Sequence, residues 1–302
     1  MLLFKIYLYH ILFRFHWLKD ILFHSKTDER LLNNQAYLLA RIHHKLSAEI
    51  SYREAIRGQE FKLSSQNGED GLLLYIFSQV GVTNRTFIEF GIETGKECNT
   101  ASLIRNFGWK GLLMDGDERN ITKAIDWYKG CEQYQIQQLK ITTCFVTTDN
   151  INRVFNEQGI SGEIDLLSID IDGNDYWIWE AIHTVNPRVV VIEYNASFGK
   201  HRSITVPYDA AFQRFKKHRS GWYHGASITA LATLGHNKHY RLVCADSNGC
   251  NAFFVRQDVL RGDLRVQSAA DAFYPQPKRN RIASLDQQYE LIQNLDYVEI
   301  PQ

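Results

Sequence analysis

The sequence has no imbalance of charge: 34 Lys and Arg residues face 34 Asp and Glu residues in a chain of 302. With no net field to draw polyanions, nucleic acid is not an expected partner. Cysteine is scarce and unpatterned. Cys98, Cys131, Cys144, Cys244 and Cys250 are odd in number and form no Cys-x-x-Cys pair. That argues against a disulfide framework or a structural zinc site and fits a reducing, cytoplasmic setting. Long uncharged apolar runs are missing as well. Residues 1–23 are rich in Leu, Ile, Phe and Tyr, but Lys5, His10, Arg14, His16, Lys19 and Asp20 interrupt them, so no stretch reaches the roughly 18 residues that a span requires. The same segment lacks the small-residue cleavage site of a secretory signal. It suits a helix lying peripherally on a membrane, or one that packs on its own domain or on a second subunit of a homo-oligomer. Internal repeats and low-complexity tracts are also absent.

What is present is enough apolar residue, 44%, for one substantial core with additions. Leu31, Leu32, Leu38, Leu39, Ile42, Leu46 and Ile50 recur at helical spacing, which makes residues 1–57 a helical extension. From residue 58 the pattern alternates. Helices are expected over 70–80, 99–107, 119–129, 150–158 and 176–183, and strands over 86–90, 111–115, 135–140, 164–172 and 188–195. The last two strands, IDLLSIDID and RVVVIEYN, are apolar on both faces, as buried parallel strands are. Segments 240–245 and 251–256 flank a turn and form an antiparallel hairpin. The expected fold is therefore α/β, a doubly wound, mostly parallel sheet over 58–262 ending in that hairpin, with ligands at the carboxyl ends of the strands. An insertion at 196–224 is expected to cover substrate. Residues 263–302, with Lys278, Arg279 and Arg281 and a helical stretch at 284–295, read as a surface-wrapping tail without chemistry.

FIEFGIETG (87–95) ends a strand in an acid, Glu89, followed by Gly91 and Gly95. Glycines there let backbone approach a ligand that a Cβ would repel. Asp115 closes the next strand and can accept hydrogen bonds from a ribose diol. This spacing favours a nucleotide or S-adenosylmethionine (SAM). It is not the dinucleotide fingerprint, because Phe90 and Glu93 stand where glycines would be needed.

The ordered set SQNGED (65–70), FIEFGIETGKECNTASLIRNFGWKGLLMDGD (87–117), FVTTDNIN (145–152), IDLLSIDIDGND (164–175) and VVVIEYN (189–195) resembles the FkbM-like SAM-dependent methyltransferases, over residues 64–256. The resemblance implies a Rossmann-like, seven-stranded class I methyltransferase sheet, SAM as methyl donor, and oxygen atoms of sugars or other small metabolites as acceptors. It places Glu89, Gly91 and Gly95 under the amino-acid part of SAM, Asp115 on the ribose, and Cys144 and Phe145 beside adenine. Gln66, Glu69 and Asp70 close that pocket, and Asp170 borders it. Glu69 and Asp70 can equally be first-turn acids favoured by a helix dipole. The chain departs from the family in having Asp at 115 and 172, where Glu is common.

Asp170 and Asp172 end one strand, and Glu193 and Asn195 the next. Residues two apart on a strand project together, so these four oxygen-bearing side chains form a candidate site for Mg²⁺ or Mn²⁺ that would hold an acceptor hydroxyl. Without metal, Asp170 would cap the turn at Gly173 and Asn174, and Asp172 and Glu193 would orient ligands. Candidate bases are Asp172, His201 and His224. In the insertion, Tyr208, Trp222 and Tyr223 can stack on a sugar or base, and Lys200, Arg202 or Lys217 can meet an anion. The alternative for 208–218 is a solvated helix. WIWEAI (177–182) reads as core. The expected function is O-methylation of a small hydroxylated acceptor, such as a sugar of a nucleotide-linked or glycan precursor. N- or carboxyl-methylation, and a SAM- or nucleotide-binding module without catalysis, are the alternatives.

Overall fold

A computed structural model describes residues 51–130 and 138–301. The expected N-terminal helix at 1–23, and all of the extension before Ser51, lie outside the described residues. The end of that extension is α1 (Tyr52–Arg57), capped by Ser51 in a reciprocal pair with Glu54. The chain continues through α2 (Glu69–Val80), β1 (Thr86–Phe90), α3 (Ala101–Phe107), β2 (Lys110–Asp115), α4 (Glu118–Lys129), β3 (Leu139–Thr143) and α5 (Ile151–Glu157). Next come β4 (Gly162–Ile169), α6 (Asp175–Ala181), β5 (Val185–Glu193), the two-residue β6 (Ile204–Thr205), α7 (Arg214–Lys217), α8 (Ile228–Asn237), β7 (Tyr240–Ala245) and β8 (Asn251–Arg256). The last elements are α9 (Ala269–Ala272), α10 (Pro277–Asn280), α11 (Leu285–Glu290) and β9 (Val298–Glu299). Among the described residues no helix is long and apolar enough to cross a membrane.

Seven strands form one sheet in the order β3-β2-β1-β4-β5-β8-β7. β1 to β5 run parallel, and β8 is antiparallel to both β5 and β7. This is the mostly parallel sheet with an antiparallel end that the pattern predicts. Phe87, Ile88, Leu166, Leu167, Val190 and Val191 are all fully buried, which explains why these strands lack alternation: helices cover both faces. Trp179 and Ile178 lie in the same core, as WIWEAI predicts. Strand order reverses between β1 and β4, so the carboxyl ends of β1, β2, β4 and β5 open onto a crevice.

Four expectations need correction. β3 falls at 139–143 instead of 135–140, because Thr143 pairs with Asp115 and sets the register; residues 135–137 lie outside the described residues. β4 stops at Ile169. Asp175 accepts hydrogen bonds from Ile171 N (2.8 Å) and Gly173 N (2.9 Å), which bends the chain, and Asp172 takes a left-handed φ of 57°. The stretch 208–218 holds only the short α7, since Asp209 accepts from Ala211 N and its carbonyl accepts from Asn174 Nδ2. Finally, the C-terminal segment is no surface wrapping: Arg279, Gln288, Ile292 and Phe273 are buried, and β9 pairs with β6 of the insertion.

Candidate active site

The crevice has a volume of about 490 Å³, within the range of small-molecule sites. Its floor is the turn after β1. Gly91 has φ 79°, and a Cβ added there would lie 1.4 Å from the Asp170 carbonyl oxygen, so the turns after β1 and β4 touch through backbone alone. Gly95 (φ 69°) packs against Tyr128 and Ala124 of α4. It shapes the loop and does not line the crevice.

Glu89 lines the crevice, yet both its oxygens are engaged. Oε1 accepts from Asn99 N (2.8 Å) and Ser168 Oγ (3.0 Å), and Oε2 accepts from Thr100 N (2.9 Å) and Thr100 Oγ1. An acid on β1 thereby holds the first amides before α3. Asp115, at the end of β2, accepts from Glu93 N (2.8 Å), Asp117 N (2.8 Å) and Asn120 Nδ2 (3.2 Å) and faces the crevice. On the opposite rim Glu69 accepts from Asn67 N and Nδ2 and from Asn251 Nδ2 of β8 (3.0 Å), with exposed Gln66 beside it.

Asp70 is placed elsewhere. Its Oδ2 accepts from Leu63 N, Ser64 N, Ser65 N and Ser65 Oγ, each at 2.8 Å, and it does not line the crevice. It is a loop-holding carboxylate, not a pocket residue. Asp70→Asn is expected to destabilise the fold by about 2 kcal/mol, because an amide oxygen in the place of Oδ2 would serve these donors without the carboxylate's charge, and the amide NH2 would be buried where Oδ1 has no partner among the described residues; urea unfolding measures this. Cys144 packs against the core, and Phe145 is exposed beside Gly116. Neither lines the crevice.

At the other end stand Asp170, Asp172 and Glu193 with Arg214. Arg214 Nη1 donates to Asp172 Oδ1, and its Nε donates to the Gly221 carbonyl (2.6 Å). The insertion thus does reach the crevice, through Arg214, while the Phe212 ring sits on Gly173 outside the lining. Enclosure in low dielectric, together with the carboxylates of Glu193, Asp172 and Asp175, pushes Asp170 well above the usual carboxylate range. Enclosure likewise pushes Asp175 up to about 7, with Glu193 adding to the effect.

Asn195 does not join this group. Its Oδ1 accepts from Ser197 N and Arg279 Nη1, and its Nδ2 donates to the carbonyls of Trp222 and His224. It is 1% exposed and fully engaged, because β5 ends at Glu193 and the next residues turn. The quartet Asp170, Asp172, Glu193 and Asn195 therefore does not fit a divalent ion as a ligand set: one member is spent on the backbone and Asp172 is paired with a guanidinium. Carboxylate oxygens of Asp170, Asp175 and Glu193 do lie within 4.8 Å of one another, as do ligand atoms of Asp172, Glu193 and His224.

The histidines separate. His201 is exposed and lines shallow surface grooves with Lys200, not the crevice. His224 is fully buried behind Glu193, with Nδ1 3.5 Å from Glu193 Oε2, so it cannot meet an acceptor directly. Burial lowers its pKa, which keeps it neutral. The proposed stacking and anion-binding groups of the insertion are also structural. Tyr223 lies in a small core with Phe198 and Val206, Trp222 packs against that core, and Tyr208 Oη accepts from Thr148 N. Arg202 covers the Tyr289 ring, and Lys217 pairs with Asp209.

Arg214 and Arg279 are the residues that sequence patterning misses. Both sit in short basic runs that read as solvated. Arg279 is 5% exposed and donates to Asn195 Oδ1 (2.8 Å), Ser197 Oγ (2.9 Å) and His224 Nε2 (3.0 Å). Pro277 at the first position of α10 marks the helix start, but nothing local marks the inward turn of Arg279.

No protein-family model and no curated protein matches the sequence. Its neighbours among solved structures are SAM-dependent methyltransferases. The methyltransferase domain of bacterial CtHen1 is 13% identical, covering 62% of this chain and 96% of that one at a TM-score of 0.40. The N-terminal domain of EvdMO1, crystallised in the presence of SAH and D-fucose, is 11% identical, covering 72% and 94% at 0.39. A SAM-dependent methyltransferase from Aquifex aeolicus is 10% identical, covering 61% and 88% at 0.34. At such identities and scores the likeness assigns no ligand and no reaction to this chain.

Proposed function

We propose that this chain is a SAM-dependent methyltransferase of FkbM-like type that transfers a methyl group to a hydroxyl of a small acceptor such as a sugar. The observation that carries the reading is the pairing of Gly91 and Asp115 on one crevice at the ends of adjacent strands. Gly91 lets the turns after β1 and β4 close against each other, so that its backbone forms the floor on which an adenosyl ligand would lie, and Asp115 presents a carboxylate where the ribose diol would donate. Glu69 and Gln66 would close the amino-acid end. Bound SAM would supply the electrophilic methyl carbon. The chain's own residues would position the acceptor, exclude water and take a proton.

The acceptor class follows from the lining. Glu69, Glu93, Glu97, Asp170, Asp172 and Glu193 face the crevice with Arg214 as the guanidinium among them. Acceptor-rich walls of this sign suit a polyhydroxylated reactive moiety and disfavour an anionic one next to the transferred methyl.

Titration calorimetry is expected to show binding of SAM and of its demethylated product. Transfer of labelled methyl from SAM to a panel of neutral sugars and sugar nucleotides is expected to persist undiminished in EDTA. A chain that binds neither compound refutes the reading. Binding without transfer to any acceptor points to a non-catalytic module, and loss of transfer in EDTA with rescue by Mg²⁺ restores a metal role.

A further inference from the structure

We infer that Glu193 accepts the proton of the methyl acceptor, and that Arg279 of the C-terminal segment, acting through His224, is the positioning residue that aims and counterbalances it. The inference rests on the methyl-transfer reading for its reaction and on hydrogen-bond geometry for its assignment. A guanidinium only donates. Arg279 Nη2 lies 3.0 Å from His224 Nε2, so Nε2 is the acceptor nitrogen and the single proton of the neutral ring sits on Nδ1. That Nδ1 faces Glu193 Oε2 at 3.5 Å. Among the described residues neither atom has a hydrogen-bond partner, although both are buried. A small approach of Glu193 closes this contact.

The charges agree. Among the described residues Arg279 has no carboxylate within ion-pair distance, yet it is 5% exposed. A guanidinium so enclosed needs a counter-charge, and the imidazole links it to Glu193. The neighbouring carboxylates are less suited: Asp172 accepts from Arg214, Asp175 behind the crevice holds Ile171 N and Gly173 N, and Asp170, which also lines this end, is pushed by burial and by Glu193 toward its neutral acid form, which cannot take a proton. Glu193 lines the crevice; its buried Oε2 faces His224, and no described residue hydrogen-bonds Oε1, which leaves that oxygen for the acceptor. As the acceptor oxygen bonds to the methyl carbon and the carbon–sulfur bond breaks, the hydroxyl proton passes to the Glu193 carboxylate and the sulfonium becomes a neutral sulfide. Later loss of that proton to water restores the site. The same tautomer argues against a metal at Asp172, Glu193 and His224, since the ring nitrogen nearest the acids carries hydrogen.

Two measurements test this. In ¹⁵N-histidine-labelled protein, with the His224 signals assigned by their loss in His224→Gln, long-range ¹H–¹⁵N correlation is expected to show a neutral ring protonated on Nδ1. Arg279→Met is expected to abolish that signature and Arg279→Lys to retain it; the wild-type spectrum decides even if Arg279→Met does not fold. An Nε2–H or doubly protonated ring in the wild type overturns the relay. In the sugar panel, Glu193→Gln is expected to lower kcat at least about 100-fold with the SAM Kd unchanged within about twofold, and His224→Gln to lower kcat about 10-fold. A wild-type chain that binds SAM while Glu193→Gln turns over within about twofold of it overturns the base assignment alone. So does SAM binding with no transfer to any hydroxylated acceptor. Failure to bind SAM instead ends the methyl-transfer reading, and the proton-acceptor role with it, while the histidine spectrum still judges the relay.

Discussion

Gly91→Ala is expected to lower stability by at least about 4 kcal/mol, roughly 8–16 °C in Tm for a domain of this size. Two effects add. At φ 79° the backbone is left-handed, which costs an L side chain about 1 kcal/mol. The larger part is steric, because the new methyl carbon would stand 1.4 Å from the Asp170 carbonyl oxygen and 2.6 Å from its carbon. Both are backbone atoms of the turn after β4 and cannot rotate away, so the two turns must separate and the crevice floor opens. Gly108→Ala isolates the conformational term: its φ is 67°, but no atom of the described residues lies within 4 Å of the added Cβ, and it should cost only about 1 kcal/mol. Thermal unfolding followed by circular dichroism measures both. If Gly91→Ala melts within about 3 °C of the wild type, the turns do not touch as described.

Asp115→Ala is expected to weaken SAM binding about 100-fold while leaving the melting temperature far closer to wild type than Gly91→Ala does. In the proposed complex the carboxylate accepts from two ribose hydroxyls, and two charge-assisted bonds of about 1.5 kcal/mol each, the low end of their range, give that factor. The same carboxylate holds Glu93 N and Asp117 N, but those amides border an open crevice where water can replace it. Asp115→Glu, which restores the residue common in the family that this chain resembles, should bind within about tenfold of wild type. Calorimetry reads all three proteins. Unchanged affinity in Asp115→Ala would remove the ribose from this position and, with it, the orientation that brings the methyl group toward Glu193.

Much of the sheet was legible because its signals are local. Thr86–Phe90, Tyr240–Ala245 and Asn251–Arg256 are strands with the bounds that apolar runs and turn residues indicate. Gly81 ends α2 with a positive φ and an N–H to the Phe77 carbonyl, as a glycine after a helix should. The crevice end formed by Glu89, Gly91 and Asp115 was equally readable, since an acid that closes a buried strand sits at the strand's carboxyl edge wherever the rest of the chain goes.

The acidic end of the crevice was not readable in the same way. Asp170 and Asp172 were expected to project together from one strand, but Asp175, three to five residues on, takes the amides that would have continued it. Asn195 has the right chemistry for a ligand and is spent on carbonyls more than twenty residues away. His224 is a base in composition and a buried link in place, and Arg279 reads as surface charge until α10 turns it inward against Asn195, Ser197 and His224.

Periodicity and turn chemistry alone thus set the α/β alternation, the strand ends and the glycine-lined floor, because each depends on neighbours within a few positions along the chain. The partners of Glu193, the proton position on His224 and the burial of Arg279 were decided only by packing. They join residues 31 to 86 positions apart in a low-dielectric interior, where a polar group's role depends on which distant donor or acceptor reaches it and not on the residues beside it in sequence.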